Sequence, residues 1–218
     1  MNCLEIDNVE LNFGIKETLK AVYFKAEKGK ITGMLGSNGS GKTSLLRIIF
    51  GELKPNNKLI RIDNKPFLSP LFKKGIINYL PQFNIVPNSV SLKSAFSYYS
   101  VSIDTFLIDF PSFKTYVNKP FSKLSGGEKR VIETYLVLKS STKITLLDEP
   151  FSHIAPIYIQ KIKEVILQTK NQKIIIITDH LYKDILDISD VIYMLKDGWC
   201  KQITTNDELI RFKYINSL

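Results

Sequence analysis

The stretch Lys30-Ile31-Thr32-Gly33-Met34-Leu35-Gly36-Ser37-Asn38-Gly39-Ser40-Gly41-Lys42-Thr43-Ser44-Leu45-Leu46-Arg47-Ile48-Ile49-Phe50 changes its pattern twice. Residues 30–35 read as a buried strand, Gly36 to Gly41 as a glycine loop, and Thr43 to Phe50 as a helix that stops at Gly51. Within it, Gly36 to Thr43 fits G-x-x-x-x-G-K-[ST] without exception. The glycines matter because backbone N–H groups must converge on phosphate oxygens with no Cβ in the way. The helix that follows adds its positive end. Gly36, Ser37, Asn38, Gly39, Ser40, Gly41, Lys42, Thr43 and Ser44 are therefore candidate nucleotide-binding residues. Lys42 is placed to reach the β- and γ-phosphates, and Thr43 to put its hydroxyl on Mg²⁺.

Working outward, Ile144-Thr145-Leu146-Leu147 is a second apolar strand, and it ends in Asp148-Glu149. A carboxylate at the C-terminal end of a strand faces the crevice where ligands sit in open α/β sheets. Asp148 suits a Mg²⁺ shell, because a hard dication prefers oxygen ligands. Glu149 is then free to act as general base on an attacking water. A third run, Lys173–Thr178, follows a helical pattern near Ile157–Thr169. Apolar runs of this kind are strands buried on both faces, as in a parallel sheet joined by right-handed crossovers.

The remaining segments fill in an α/β architecture. Leu4–Ile6 and Ala21–Phe24 are β-type; Leu59–Ile62 and the residues after Asp63-Asn64-Lys65 suggest a hairpin; Ile76–Leu80 is another strand. From Phe83 to Lys123, Pro87, Pro111 and Pro120 punctuate a stretch rich in Phe and Tyr. It reads as a compact, mostly helical insertion whose aromatics pack a small subdomain or face a partner. A helix is expected from Lys129 to Leu138 and a last one at Asp207–Tyr214, with no appended regulatory domain expected beyond it.

Composition sets outer limits. At 218 residues, 44% hydrophobic and 23% charged, the chain has the size and balance of one globular domain. Its formal charge of +9 comes from scattered lysines, so a solvated basic surface or attraction to an anionic membrane face is expected rather than nucleic-acid binding. The first residues carry acids where a signal peptide needs a basic start, so no secretion signal is expected. The apolar run Ile174–Ile177 is far short of the roughly 20 residues that span a bilayer. Cys3 and Cys200 have neither CxxC spacing nor clustered His, which points to free thiols and to neither a metal site nor a disulfide.

Leu124-Ser125-Gly126-Gly127-Glu128 stands between the phosphate loop and the acidic pair. Taken with those motifs in this order, it resembles the signature of the ABC ATPases, and the resemblance covers nearly the whole chain. It implies a P-loop NTPase core with a mostly parallel central sheet, an N-terminal antiparallel β subdomain and a short helical insertion. The implied division of residues 1–218 is a core of about 1–82 and 139–218 and a helical subdomain of about 83–138. Phe13 resembles the aromatic that stacks on adenine. Gln82 looks like the glutamine that senses Mg²⁺ and the attacking water, and His180 is similar to the switch histidine at the γ-phosphate. The resemblance also implies that Ser125, Gly126 and Gly127 close over ATP held by a second subunit. Thr43, Gln82 and Asp148 are then the Mg²⁺ residues; Glu149, His180, Gln82 and Lys42 are the catalytic ones.

The function implied is the ATP-hydrolysing motor subunit of a transporter, peripheral on the cytoplasmic face of the cell membrane. Its partners are transmembrane permease subunits and a second ATPase subunit, either a copy or a paralogue. Tyr79-Leu80-Pro81-Gln82, Pro150-Phe151 with Pro156-Ile157, and Ile177-Thr178-Asp179-His180 look most like the lipopolysaccharide-export and branched-chain amino-acid ATPases. A soluble ATPase of the iron–sulfur assembly type is the alternative, and a degenerate cassette that only binds ATP is disfavoured by the intact Lys42, Asp148, Glu149 and His180. Two features depart from the family: Ala155 stands where an interface-loop aspartate is usual, and the insertion is short.

Overall fold

The computed structural model describes residues 1–180, 182–205 and 208, so the helix expected at Asp207–Tyr214 lies, but for Glu208, outside the described residues. The strand at the centre of the opening stretch is β3 (Ile31–Leu35), and the helix after its loop is α1 (Lys42–Phe50). Two long strands precede them, β1 (Cys3–Phe13) and β2 (Lys16–Glu27). Both are longer than their alternation suggested. The register shifts between Ile6 and Val9, and Asn8 and Ala21 adopt left-handed φ of 49° and 46°, so local irregularities break the period-two pattern.

Asp63 and Asn64 both have positive φ and turn β4 (Asn57–Ile62) into the short β5 (Lys65–Pro66), as the hairpin reading required. These strands form an antiparallel sheet in the order β2-β1-β4-β5.

The larger sheet adds β6 (Ile77–Leu80), β7 (Ile144–Asp148), β8 (Ile174–Thr178), β9 (Val191–Lys196) and β10 (Trp199–Ile203). Its order is β10-β9-β3-β8-β7-β6, parallel throughout except for the β9-β10 hairpin, which the sequence reading passed over. The expectation of strands buried on both faces is met side chain by side chain. Ile175 and Ile177 of β8 join one apolar cluster, whereas Ile174 and Ile176 join the other, beside α1 and the antiparallel sheet.

The proline-punctuated stretch contains two seven-residue helices, α2 (Leu92–Tyr98) and α3 (Ile103–Asp109), and 3₁₀ turns at Pro111–Tyr116 and Phe121–Lys123. Ser91 and Ser102 cap the two helices, and Pro111 starts the 3₁₀ segment that follows. Phe96, Phe106, Phe110, Phe113 and Phe121 are buried; the rings of the first three meet Tyr135 and that of Phe113 meets Phe106 and Phe110, so most of the aromatics are packing. Tyr135 belongs to α4 (Gly126–Lys139), which begins three residues earlier than expected because the signature is its first turn. α5 (Pro156–Thr169) and α6 (Tyr182–Ile188) are the remaining α-helices among the described residues. Because β3, β6, β7 and β8 run parallel, the loops that carry Gly36, Gln82, Glu149 and His180 all leave from one edge of the sheet.

Candidate functional site

At that edge lies a cleft of about 570 Å³. Phe13, Asn38, Gly39, Gly41, Lys42, Thr43, Ser44, Gln82 and Glu149 line it, together with Lys16 and Thr18, which sequence reasoning did not single out. The phosphate loop is shaped by close approach. A Cβ on Gly36 would stand 2.5 Å from the Leu195 carbonyl oxygen, and Gly41 has a φ of 106° that a side chain would strain. Gly41 is also the cap residue of α1, and no side chain occupies that cap. The first-turn N–H groups of α1 therefore remain available to an anion. Lys42 is 7% exposed and donates from Nζ to the carbonyls of Gly36 at 2.6 Å and Ser37 at 3.1 Å. Burial lowers its pKa, while the nearby Glu149, Asp148 and Asp179 favour the charged form.

Behind the cleft Asp148 is fully buried at the end of β7. Its carboxylate accepts from Tyr79 Oη at 3.0 Å and from Gln82 Nε2 at 3.4 Å. Burial raises its pKa, and hydrogen bonds from Thr43, Tyr79 and Gln82 work against that rise. Gln82 stands among three groups: its Nε2 also donates to Thr43 Oγ1 and to Glu149 Oε1, both at 3.1 Å. The Thr43 hydroxyl and the Asp148 carboxylate are hard oxygen donors brought together through one amide, which is the donor set Mg²⁺ prefers. Gln82 presents nitrogen to this group, so it could serve a cation only with its amide turned.

Glu149 has a left-handed φ of 55° and donates its N–H to the Thr178 carbonyl at 2.7 Å. A glutamate held in this region carries roughly 1 kcal/mol or more of strain, a cost commonly found at functional sites. Ser152 Oγ donates to Glu149 Oε2 at 3.3 Å, and His180 Nδ1 lies 3.7 Å from the same oxygen and 3.4 Å from Asp179 Oδ1. Phe13, at the end of β1, is 54% exposed and presents its ring at the mouth of the cleft.

None of Ser125, Gly126 and Gly127 lines this cleft; Gly126 lines a neighbouring one of about 330 Å³, whose walls also include Gln82 and Glu149. Ser125 caps α4 through a capping box. Its Oγ accepts from Glu128 N–H at 3.2 Å and its own N–H donates to Glu128 Oε2 at 2.7 Å. The S-x-x-E spacing that signals such a box was present in the signature. The N–H groups of Gly126 and Gly127, in the same first turn, have no acceptor within the helix.

A family model described as "ABC transporter" matches residues 19–152. The chain belongs to the ABC transporter family. It is 27% identical to the lipopolysaccharide export system ATP-binding protein LptB of Haemophilus influenzae over 237 residues, covering 99% of this chain and 98% of that one. It is also 27% identical to the branched-chain amino acid transport ATP-binding protein BraG of Pseudomonas aeruginosa, covering 89% of each. Identity to the arabinose import ATP-binding protein AraG of Mannheimia succiniciproducens is 28% over 95% of this chain, which spans only 46% of that protein's length. A solved ATP-binding subunit of an ABC transporter superposes with a TM-score of 0.82 at 18% identity, covering 96% of this chain and 93% of that one. The fold is thus the family's ATP-binding cassette, and the resemblance to LptB and BraG is the one that the motifs around Gln82, Pro150 and His180 suggested.

Besides Lys16 and Thr18, sequence reasoning missed Tyr79, which donates to Asp148, and Arg130 and Glu133 of α4, whose side chains bond the backbone around Gln82 and Glu149. The last two are a cation and an acid three positions apart on α4, a pattern that sequence alone does not separate from a solvated helix face.

Proposed function

We propose that this chain is the ATP-hydrolysing motor subunit of an ABC transporter and that it works as a pair of cassettes. ATP bound by Gly36–Ser44 of one cassette is closed by Leu124–Glu128 of the other. The observation that carries this reading is the split between clefts. Lys42, Thr43, Gln82 and Glu149 line the larger one, while Gly126, in the first turn of α4, lines the smaller. A cassette alone holds half of each site, and a two-fold pair completes both.

In this reading the ring of Phe13 stacks on the base. The amides at the start of α1 hold phosphate oxygens, and Lys42 exchanges its carbonyl partners for the β- and γ-phosphates. Thr43 and Asp148, with Gln82 once its amide is turned, would hold Mg²⁺, which when bound supplies positive charge at the phosphate oxygens. Glu149 takes a proton from the attacking water, His180 donates toward the γ-phosphate, and the first-turn amides of the second subunit's α4 stabilise the charge on it. Loss of the γ-phosphate removes the bridge between cassettes, so opening and closing can be passed to permease subunits. Among the described residues no helix is long and apolar enough to cross a membrane, which agrees with a peripheral subunit on the inner face of a membrane. Glu149→Gln should retain ATP, lose turnover by at least about 100-fold and elute as a dimer on a sizing column. Turnover at the wild-type rate would remove Glu149 from the mechanism.

A further inference from the structure

The helix that begins with the signature also carries two buried charges, three residues apart, that point to the same loop. Arg130 is 6% exposed and Glu133 is fully buried. The guanidinium donates to the carbonyls of Pro81 at 2.5 Å and Glu149 at 3.1 Å, and also to that of Asp148. Glu133 Oε1 accepts the N–H groups of Ile85 at 2.8 Å and Val86 at 3.0 Å. Both ends of the loop from Pro81 to Val86 are therefore fastened to α4, and so is the backbone of the acidic pair. Between the fastenings Gln82, Phe83 and Asn84 are exposed, and Gln82 is the residue that reaches Thr43, Asp148 and Glu149.

Such an arrangement is costly. Glu133 Oε2 is buried with no hydrogen-bond partner among the described residues, and burial raises the pKa of the carboxyl. An apolar residue at 133 would fill the volume without that cost but would leave two loop N–H groups unpaired. The charges are kept where they fix backbone rather than where they pair with each other.

We infer that Arg130 and Glu133 are positioning residues that make the loop from Pro81 to Val86 and the first turn of α4 one mechanical unit, setting where Gln82 stands at the Mg²⁺ and water positions. The inference rests on the catalytic reading of Gln82 given above. It means that a displacement of the signature helix by a second cassette is delivered to Gln82 without passing through the sheet.

Three variants of the full chain test it, each followed by phosphate release over ATP and Mg²⁺ titrations and by binding of a fluorescent ATP analogue. Glu133→Ala should lower kcat about 10- to 100-fold, the effect of a displacement near 1 Å at a reacting centre. It should raise the Mg²⁺ needed for half-maximal rate and leave ATP-analogue affinity within about threefold. Glu133→Gln keeps an acceptor for both N–H groups and should restore kcat. Arg130→Lys, whose single ammonium cannot span the carbonyls that Nε, Nη1 and Nη2 reach separately, should lower kcat like Glu133→Ala.

Unchanged kcat and Mg²⁺ requirement in Glu133→Ala and Arg130→Lys overturns the inference, as does a Glu133→Gln variant as impaired as Glu133→Ala. If Glu133→Ala fails to fold by circular dichroism, Arg130→Lys decides. Gln82→Ala separates the two levels: if it changes neither kcat nor Mg²⁺ requirement, the catalytic reading itself is wrong. If only Gln82→Ala is impaired, the positioning role alone falls.

Discussion

The two glycines of the signature face different demands, and replacing each by alanine should separate stability from function. A Cβ on Gly127 would stand 2.4 Å from the carbonyl oxygen of His153, with the His153 carbonyl carbon at 3.4 Å and the Ile154 Cα at 3.5 Å. All three neighbours are backbone, in the loop just after the acidic pair, and the closest contact is at least ~1 Å inside normal separation. Overpacking of this kind costs about 1–3 kcal/mol. Alanine's better helix propensity returns about 0.5–1 kcal/mol of it. The net cost is up to roughly 2.5 kcal/mol, and with roughly 2–4 °C per kcal/mol in a domain of this size Gly127→Ala should lower Tm by up to roughly 10 °C. Nothing lies within 4 Å of a Cβ on Gly126. Gly126→Ala should therefore leave Tm unchanged or raise it by up to roughly 2–4 °C. Because that face is the one proposed to meet a second cassette's ATP, its phosphate release should nonetheless fall by about 10-fold or more, as when one stabilising contact to transition-state charge is lost. Differential scanning calorimetry and a phosphate-release assay on both variants suffice. Equal Tm shifts would refute the packing argument, and wild-type turnover in Gly126→Ala would refute the proposed closure.

Tyr79→Phe removes a donor to the buried Asp148 carboxylate. It should cost about 1.5–3 kcal/mol in urea unfolding and shift the Mg²⁺ dependence of turnover, since a hydrogen bond to a charged acceptor is lost. An unfolding midpoint like that of the wild type would show that the bond contributes nothing. Phe13→Ala should weaken ATP-analogue binding by about 1–3 kcal/mol, or roughly 5- to 150-fold, with little change in Tm because the ring is half exposed; undiminished affinity would remove Phe13 from the site. Lys173 is 4% exposed and donates to the Ser140 carbonyl, and burial lowers its pKa to about 8. An unfolded chain keeps that lysine protonated to near its ordinary value. Between about pH 8 and 10 the unfolded state thus binds more protons, and this residue makes the fold more stable as pH rises. Relative to Lys173→Met, the wild type should gain on the order of 1–3 kcal/mol over that window; parallel pH profiles for the two proteins would contradict the burial argument.

The elements that were legible share a cause. β3, β7 and β8 are apolar on both faces, and the glycine loop and acidic pair occupy strand ends, so local pattern and position in the sheet carry the same information. What escaped was decided by backbone or by distance. Asn8 and Ala21 break the alternation of β1 and β2 with left-handed residues, hiding half of each strand. The β9-β10 hairpin completes a sheet already apparent from its neighbours, and the turn at Asp197-Gly198 has positive φ at both positions, the signal that was available.

Arg130 and Glu133 escaped for a stronger reason. In sequence they are an ordinary cation and acid on a helix, where solvated residues are expected. In the fold they are buried because Pro81, Ile85, Val86, Asp148 and Glu149, which lie elsewhere in the chain, offer them backbone groups where the strands end. A loop that must leave a parallel sheet and still hold Gln82 in place cannot satisfy its own amides and carbonyls through the ladder. Side chains from a neighbouring helix must do it, and burying their charges is tolerable only because each meets several backbone dipoles. The same helix starts with the signature, so the residues that make the loop stable also tie it to the surface proposed to meet the second cassette. Stability of the site and communication between sites then have one physical origin. A substitution that loosens Gln82 without touching a ligand should therefore be found on α4 rather than in the loop itself.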